Sequence, residues 1–157
     1  MIMNVGQLMP RDPGTCGADD SLSRAAQIMW ENDCGCVPVV DAERRPIAMI
    51  TDRDICMAAY TQGRPLWSTA VSSADSRGVV VARETDTLEA AESLMQTHRI
   101  RRLPVVDAAG RLVGILSMND LARRASFGHR QSDLTADRIT RTLAAICEPT
   151  VHAAAAE

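Results

Sequence analysis

Val37-Pro38-Val39-Val40-Asp41-Ala42 recurs as Leu103-Pro104-Val105-Val106-Asp107-Ala108, and this recurrence decides the architecture of the chain. Working outward from it, the match continues without a gap. Asp20-Ser21-Leu22 returns as Asp86-Thr87-Leu88, Ala25 and Met29 as Ala91 and Met95, Arg45 as Arg111, and Asp54 as Asp120, each 66 positions later. Ungapped agreement between residues 5–59 and 71–125 is much harder to reach by chance than scattered identity. An internal repeat fixes the architecture before any element is assigned. The chain is one small unit written twice, with an interface or cleft between the copies.

Size and composition fit that reading. A unit of about 55–60 residues is marginal alone, so the two copies are expected to share a core. Hydrophobic residues make up 46% of the 157, enough for such a core. Aromatics are confined to Trp30, Tyr60, Trp67 and Phe127, so the interior must be Val, Ile, Leu, Met and Ala. A net charge of −3, a pI near 5.6 and few rings for base stacking argue against a nucleic-acid partner. No apolar run approaches the ~18–20 residues of a membrane span. Met1-Ile2-Met3-Asn4 lacks the regions of a signal peptide. Cys16, Cys34, Cys36, Cys56 and Cys147 are odd in number, a poor disulfide framework. The expectation is a soluble, cytoplasmic protein with no membrane partner.

Each copy predicts the element order β-α-β-β-α, a mixed α/β (α+β) fold. A short strand is expected around Gly14–Cys16 and around Val79–Val81. Asp20 and Asp86 are candidate helix N-caps, with Glu89 completing a capping box in the second copy. Leu22, Ala25 and Met29, like Leu88, Ala91 and Met95, form an amphipathic stripe. The Val-Pro-Val-Val and Leu-Pro-Val-Val strands then turn at Asp41–Arg44 and Asp107–Gly110 and return through residues 46–50 and 112–116. Thr51 and Ser117 open a second helix. The boundaries follow: residues 4–62 are the first repeat, 63–70 a linker, 71–126 the second repeat, and 127–157 a C-terminal helix and tail. Ser132 or Asp133 can cap that last helix, with Ile139, Leu143 and Ile146 on one face and Pro149 as its stop. Residues 152–157 read as frayed.

Thr51-Asp52-Arg53-Asp54 and Ser117-Met118-Asn119-Asp120 are the pattern that carries chemistry. One reading is a capping box, in which hydroxyl and acid satisfy each other's amides. The other is a ligand site: free amides and the dipole at a helix start favour an anion, and an Asp one turn on can hold a ribose diol.

The strand ending before T/S-x-x-D, paired with an upstream h-P-h-h-D strand and duplicated, resembles a tandem cystathionine-β-synthase-domain pair, the CBS pair or Bateman module. The likeness covers about residues 4–125. The Thr-Asp-Arg-Asp-Ile stretch and the Ala-Ile-Cys-Glu-Pro segment look most like the stand-alone bacterial hypoxic response proteins of this family. The resemblance implies two repeats packed as a pseudo-symmetric pair with an extra C-terminal helix, and a regulatory module rather than an enzyme. It implies that an adenosine-containing ligand (AMP, ADP, ATP or S-adenosylmethionine) lies in clefts between the repeats, with no required cofactor. Asp54 and Asp120 would hold ribose, and Thr51 and Ser117 would contact ribose or phosphate. The base would pack beside Val37-Pro38 or Leu103-Pro104, and Arg53 would meet phosphate. It further implies a flat homodimer joined through helices and an effector protein that the chain does not name. Asn119 stands where the first copy has Arg53, so the clefts should differ in phosphate preference. Ala48 replaces the usual glycine, kept as Gly114, and is expected to tighten the first cleft.

Other residues have two readings each. His98-Arg99-Ile100-Arg101-Arg102 can stabilise a helix C-terminus, or Arg101 and Arg102 can grip a polyphosphate. Cys34 and Cys36 with Cys16 can bind zinc or sense oxidation, although C-x-C is tighter than ordinary zinc spacing and a fourth ligand is missing. Cys56 and Cys147 read as core. His98, His129 and His152 form no catalytic constellation, and no nucleophile or metalloprotease motif is present. A ligand-free interaction module is the alternative to the nucleotide sensor.

Overall fold

The hydroxyl of Ser21 accepts the Arg24 N–H at 3.2 Å and starts α1 (Leu22–Glu31); Thr87 starts α3 (Leu88–His98) in the same way, from Ala90 at 3.1 Å. Asp20 and Asp86, expected at those caps, stand one residue too early. Each carboxylate instead closes the preceding turn, accepting the N–H of Gly17 or Arg83 at 2.8 Å. This geometry comes from a computed structural model of the chain, which describes residues 3–74, 78–126 and 134–148.

The hairpins repeat in detail. β1 (Cys36–Val40) pairs antiparallel with β2 (Pro46–Thr51), and β4 (Arg102–Val106) with β5 (Leu112–Ser117), each with a register shift before its last pair. The Asp that opens each turn holds it shut. Asp41 accepts the Arg45 N–H at 2.8 Å, and Asp107 accepts the N–H groups of Arg111 at 2.9 Å and Ala109 at 2.8 Å. Those bonds, led by the one from Arg111, keep the Asp107 carboxyl below the ordinary carboxylate range.

The leading strand is shorter and later than the sequence suggests. β3 (Ala82–Arg83) runs parallel to β4, beyond Val79–Val81, and in the first repeat a single bridge from Cys16 to Val39 takes its place. Cys16 and Ala82 occupy equivalent positions, and both are buried.

The residues that lead into each repeat pack on the other one. The N–H groups of Val5 and Gly6 donate to the carbonyls of Asp86 and Glu84 at 2.9 Å each. Val5 and Met9 join the core of Leu88, Met95, Leu103, Leu116 and Leu121. Conversely, Val71 donates to the Asp20 carbonyl and Leu22 to that of Thr69, both at 2.8 Å, and Val71 enters the core of Leu22, Ile28, Val37 and Ile50. Each core is thus completed by the leader of the other repeat, the physical answer to a unit too small to close alone.

α2 (Asp52–Gln62) ends at Gly63, whose φ of 60° is the left-handed cap that glycine tolerates. α4 (Met118–Ser126) closes the second repeat, and α5 (Ala136–Cys147), capped by Thr135, lies across α3 and α4. Ser132, Asp133, Pro149 and the tail lie outside the described residues. Ile139 and Ile146 are buried as expected, but Leu143 is 42% exposed and Thr142 faces inward. The reason is polar. Thr142 accepts a bond from Gln96 at 2.8 Å and donates one to the buried Glu92 at 3.3 Å, and Arg138 ion-pairs with that same carboxylate. A buried carboxylate needs such partners. Cys56 and Cys147 are exposed rather than core.

Gly114 shows how tightly the N-terminal leader is held. A Cβ there would stand 2.5 Å from Met9 Sδ and 2.6 Å from the Pro10 carbonyl oxygen, while the Ile115 N–H donates to that oxygen at 3.2 Å. The crowding at Gly114 lies where the leader crosses β5, and Ala48, its counterpart, is buried in the core of the first repeat. Gly114→Ala should lower stability by about 1–3 kcal/mol through overpacking. Thermal denaturation against the wild type checks this.

Candidate functional site

The hairpin register brings the two half-motifs of each repeat together. Cys36 lies opposite Thr51, and Val37 and Pro38 opposite Ile50 and Met49; Arg102, Leu103 and Pro104 face Ser117, Leu116 and Ile115. The backbone then ties the upstream turn to the helix start. The Asp52 N–H donates to the Gly35 carbonyl at 3.2 Å and the Met118 N–H to that of Arg101 at 2.9 Å. Sequence-distant pieces therefore converge at two equivalent places.

At the first, Asp54 Oδ2 accepts the Thr51 N–H at 2.9 Å and the Thr51 hydroxyl at 2.6 Å, while that hydroxyl accepts the Asp54 N–H at 3.2 Å. At the second, Asp120 and Ser117 make the same three bonds at 2.9, 2.5 and 3.3 Å. Both are full capping boxes. The difference lies in the second carboxylate oxygen. Asp54 Oδ1 has no partner among the described residues, whereas Asp120 Oδ1 accepts Arg123 Nη2 at 2.5 Å. Arg123 was not legible as a site residue; its signal is a cation one turn beyond Asp120, where the first repeat has Met57.

Arg53 and Asn119 are exposed, each on the first turn of its helix. The half-buried Arg102 reaches over to the first repeat: its Nη2 would lie 3.7 Å from a Cβ at Gly35, and its charge draws the Cys36 thiol downward. Arg101 points elsewhere, its guanidinium 3.3 Å from Cys147 Sγ at the end of α5. Arg99 pairs with Glu148 at 3.4 Å, so two of the arginines in the basic run serve α5.

Cys16, Cys34 and Cys36 are not gathered into a metal site. Among the described residues no three His, Cys, Asp or Glu side chains are placed to hold an ion. Cys34 is exposed and its thiol donates to the Cys36 carbonyl at 3.3 Å. Burial pushes the Cys16 thiol up to about 11, helped by Asp20, and burial likewise raises Cys36 to about 11 against the pull of Arg102. Both are neutral thiols at physiological pH, unlike the thiolates that metals and oxidants attack.

The fold and these paired sites define a duplicated two-repeat module, and comparison gives its family. A family model described as CBS domain matches residues 5–60 and again 71–126, so the chain belongs to the CBS-domain proteins. It is 37% identical over 119 residues to the CBS domain-containing protein YhcV of Bacillus subtilis, covering 76% of this chain and 83% of that one. It is 30% identical over 149 residues to Hypoxic response protein 1 of Mycobacterium tuberculosis, covering 94% and 92%. It also matches the inosine-5'-monophosphate dehydrogenase of Methanocaldococcus jannaschii, 28% identical over 132 residues, which are 84% of this chain but 25% of that enzyme.

Among solved structures, it matches the CBS domain pair of protein MJ0100 in complex with 5-methylthioadenosine and S-adenosyl-L-methionine (TM-score 0.72, 25% identity, 81% of this chain and 98% of that). It matches CBSX2 in complex with AMP (0.68, 26%, 79% and 96%). It matches Hypoxic Response Protein I with two coordinated zinc ions (0.70, 27%, 77% and 98%). No helix among the described residues is long and apolar enough to cross a membrane.

The thiols give a direct check. Cys34, Cys56 and Cys147 should react quickly with a maleimide at pH 7.5, and Cys16 and Cys36 only after unfolding. The two raised thiols stay protonated in the folded chain up to about 11 but ionise near 9.0 when unfolded. Their contribution is therefore fully present below pH 9.0 and is lost as the pH rises toward 11. Urea denaturation across that range should show the decline.

Proposed function

We propose that the chain is a regulatory module that binds an adenosine-containing ligand (AMP, ADP, ATP or S-adenosylmethionine) at the clefts between its repeats and reports energy or stress state. The observation that carries this is the open Oδ1 of Asp54, at a helix start beside the Val37-Pro38 strand. A capping box needs only one carboxylate oxygen; the other is left to accept ribose hydroxyls. Arg53 on the same turn is suited to phosphate, while Thr51, whose one hydroxyl proton goes to Asp54, keeps a lone pair to accept from ribose. Arg102, on the first repeat's turn but belonging to the second, would make any anion bound there bridge both repeats. Ligand binding could then shift their packing, the requirement for a signal. The binding of 5-methylthioadenosine, S-adenosylmethionine and AMP by structural neighbours supports the ligand class. The role is regulatory rather than catalytic.

The second cleft is disadvantaged but not closed. Arg123 is 70% exposed but Asp120 only 6%, so a ligand hydroxyl there must displace a cation held by a largely buried carboxylate, and the second cleft should bind more weakly than the first.

Isothermal titration with each of the four ligands under reducing conditions tests the reading. One of them should bind saturably. Asp54→Asn should weaken the tighter site by at least about tenfold, the loss expected when a hydrogen bond to a charged group goes. Asp120→Asn should affect only the weaker site. A folded protein that binds none of the four would leave Thr51–Asp54 and Ser117–Asp120 as caps alone.

A further inference from the structure

Arg102 opens β4 opposite Ser117, in the wall of the second cleft, yet its guanidinium lies at the first. Its Nη2 would stand 3.7 Å from a Cβ at Gly35, whose carbonyl accepts the Asp52 N–H at the start of α2. The side chain is half-buried and makes no hydrogen bond or ion pair among the described residues. Asp52 flanks the same glycine, its Oδ2 3.0 Å from that Cβ position, but does not close on Arg102 as an ion pair. A guanidinium partly withdrawn from water and lacking a counter-charge favours an anion beside it.

The repeat shows how the clefts differ in the cations they offer. Asp54 has its match in Asp120, so the two carboxylates cancel in the comparison. What remains at the first helix start is Arg53, exposed on the first turn, and Arg102 from across the seam, against the exposed acid Asp52. At the second, Met118 and Asn119 stand where Asp52 and Arg53 do, and the position equivalent to Arg102 is Cys36, a buried neutral thiol. The other cations nearby are engaged. Arg101 is turned to Cys147 Sγ, and Arg123 is held on Asp120. One cleft thus has two guanidinium groups free to meet a phosphate, and the other has none.

We propose that Arg102 makes the first cleft selective for a phosphorylated adenosine, while the second takes an adenosine without phosphate, so that one chain reads two ligand classes at once. This rests on the ligand site proposed above and adds the class that each cleft admits. Arg102 is the selecting residue because it is the half-buried one; Arg53, in water, is worth less to an anion. Its backbone lines the second cleft, so a phosphate held in the first also fixes the strand against which the second ligand packs.

AMP and adenosine differ only in the phosphate, and isothermal titration with each tests the assignment. Asp120→Asn leaves the first cleft as the binding site and Asp54→Asn leaves the second, with folding of every variant checked by circular dichroism. In the Asp120→Asn chain AMP should bind more than about tenfold more tightly than adenosine, as expected for a charge-assisted hydrogen bond. Adding Arg102→Gln should cut that ratio by about tenfold, and Arg102→Lys, which keeps the charge without the planar fork, should cut it by less. In the Asp54→Asn chain adenosine should bind at least as tightly as AMP. A ratio that Arg102→Gln leaves unchanged overturns the proposal while the ligand site stands. So does an Asp54→Asn chain that prefers AMP or binds neither compound. Binding of neither compound by either chain overturns the ligand site and this proposal together.

Discussion

The exchange of leading segments is the constraint on which the rest of the molecule depends. Val5 sits in the core of the second repeat and Val71 in the core of the first, both fully buried and both tied by backbone hydrogen bonds to the segment that opens the other repeat's first helix. Burying two such valines contributes about 1.5–3 kcal/mol each, a sizeable share of the net stability of a small domain. A further tie, from the Leu112 N–H to the Arg44 carbonyl at 2.9 Å, joins the first turn to the last strand.

Near-equivalence in the backbone then makes small side-chain differences informative. The two capping boxes share their bonds, yet Arg123 occupies the free oxygen of Asp120 and Met57 leaves that of Asp54 open. The two helix pairs share their groove, yet one is covered by α5 and the other presents Trp30. Duplication supplied two copies of one frame, and a few substitutions gave equivalent backbone positions different neighbours.

The placement of the cysteines separates reactivity from proximity in sequence. Cys34 and Cys36 are two residues apart, but Cys34 lies exposed in the loop before β1 while Cys36 opens that strand and is buried. Burial keeps Cys16 and Cys36 protonated, so the accessible sulfur chemistry resides in Cys34, Cys56 and Cys147. The last two were expected inside because their neighbours are apolar. A helix of mixed character, however, leaves room on its outer face for a small hydrophobe at little cost.

By itself the sequence determined the repeat, the hairpins and the helix starts at Thr51 and Ser117. These depend on local chemistry: alternating β-branched residues, an Asp able to close a turn, a hydroxyl three residues before an acid. It misplaced the caps at Asp20 and Asp86 by one residue, since Asp-Ser and Asp-Thr both offer an acceptor and only the backbone selects between them. The leader exchange, the inward Thr142 with Glu92, and the reach of Arg102 across to Gly35 were decided by the tertiary structure alone. Each joins residues tens of positions apart, and no local pattern encodes which distant partner satisfies a buried acid or completes a core.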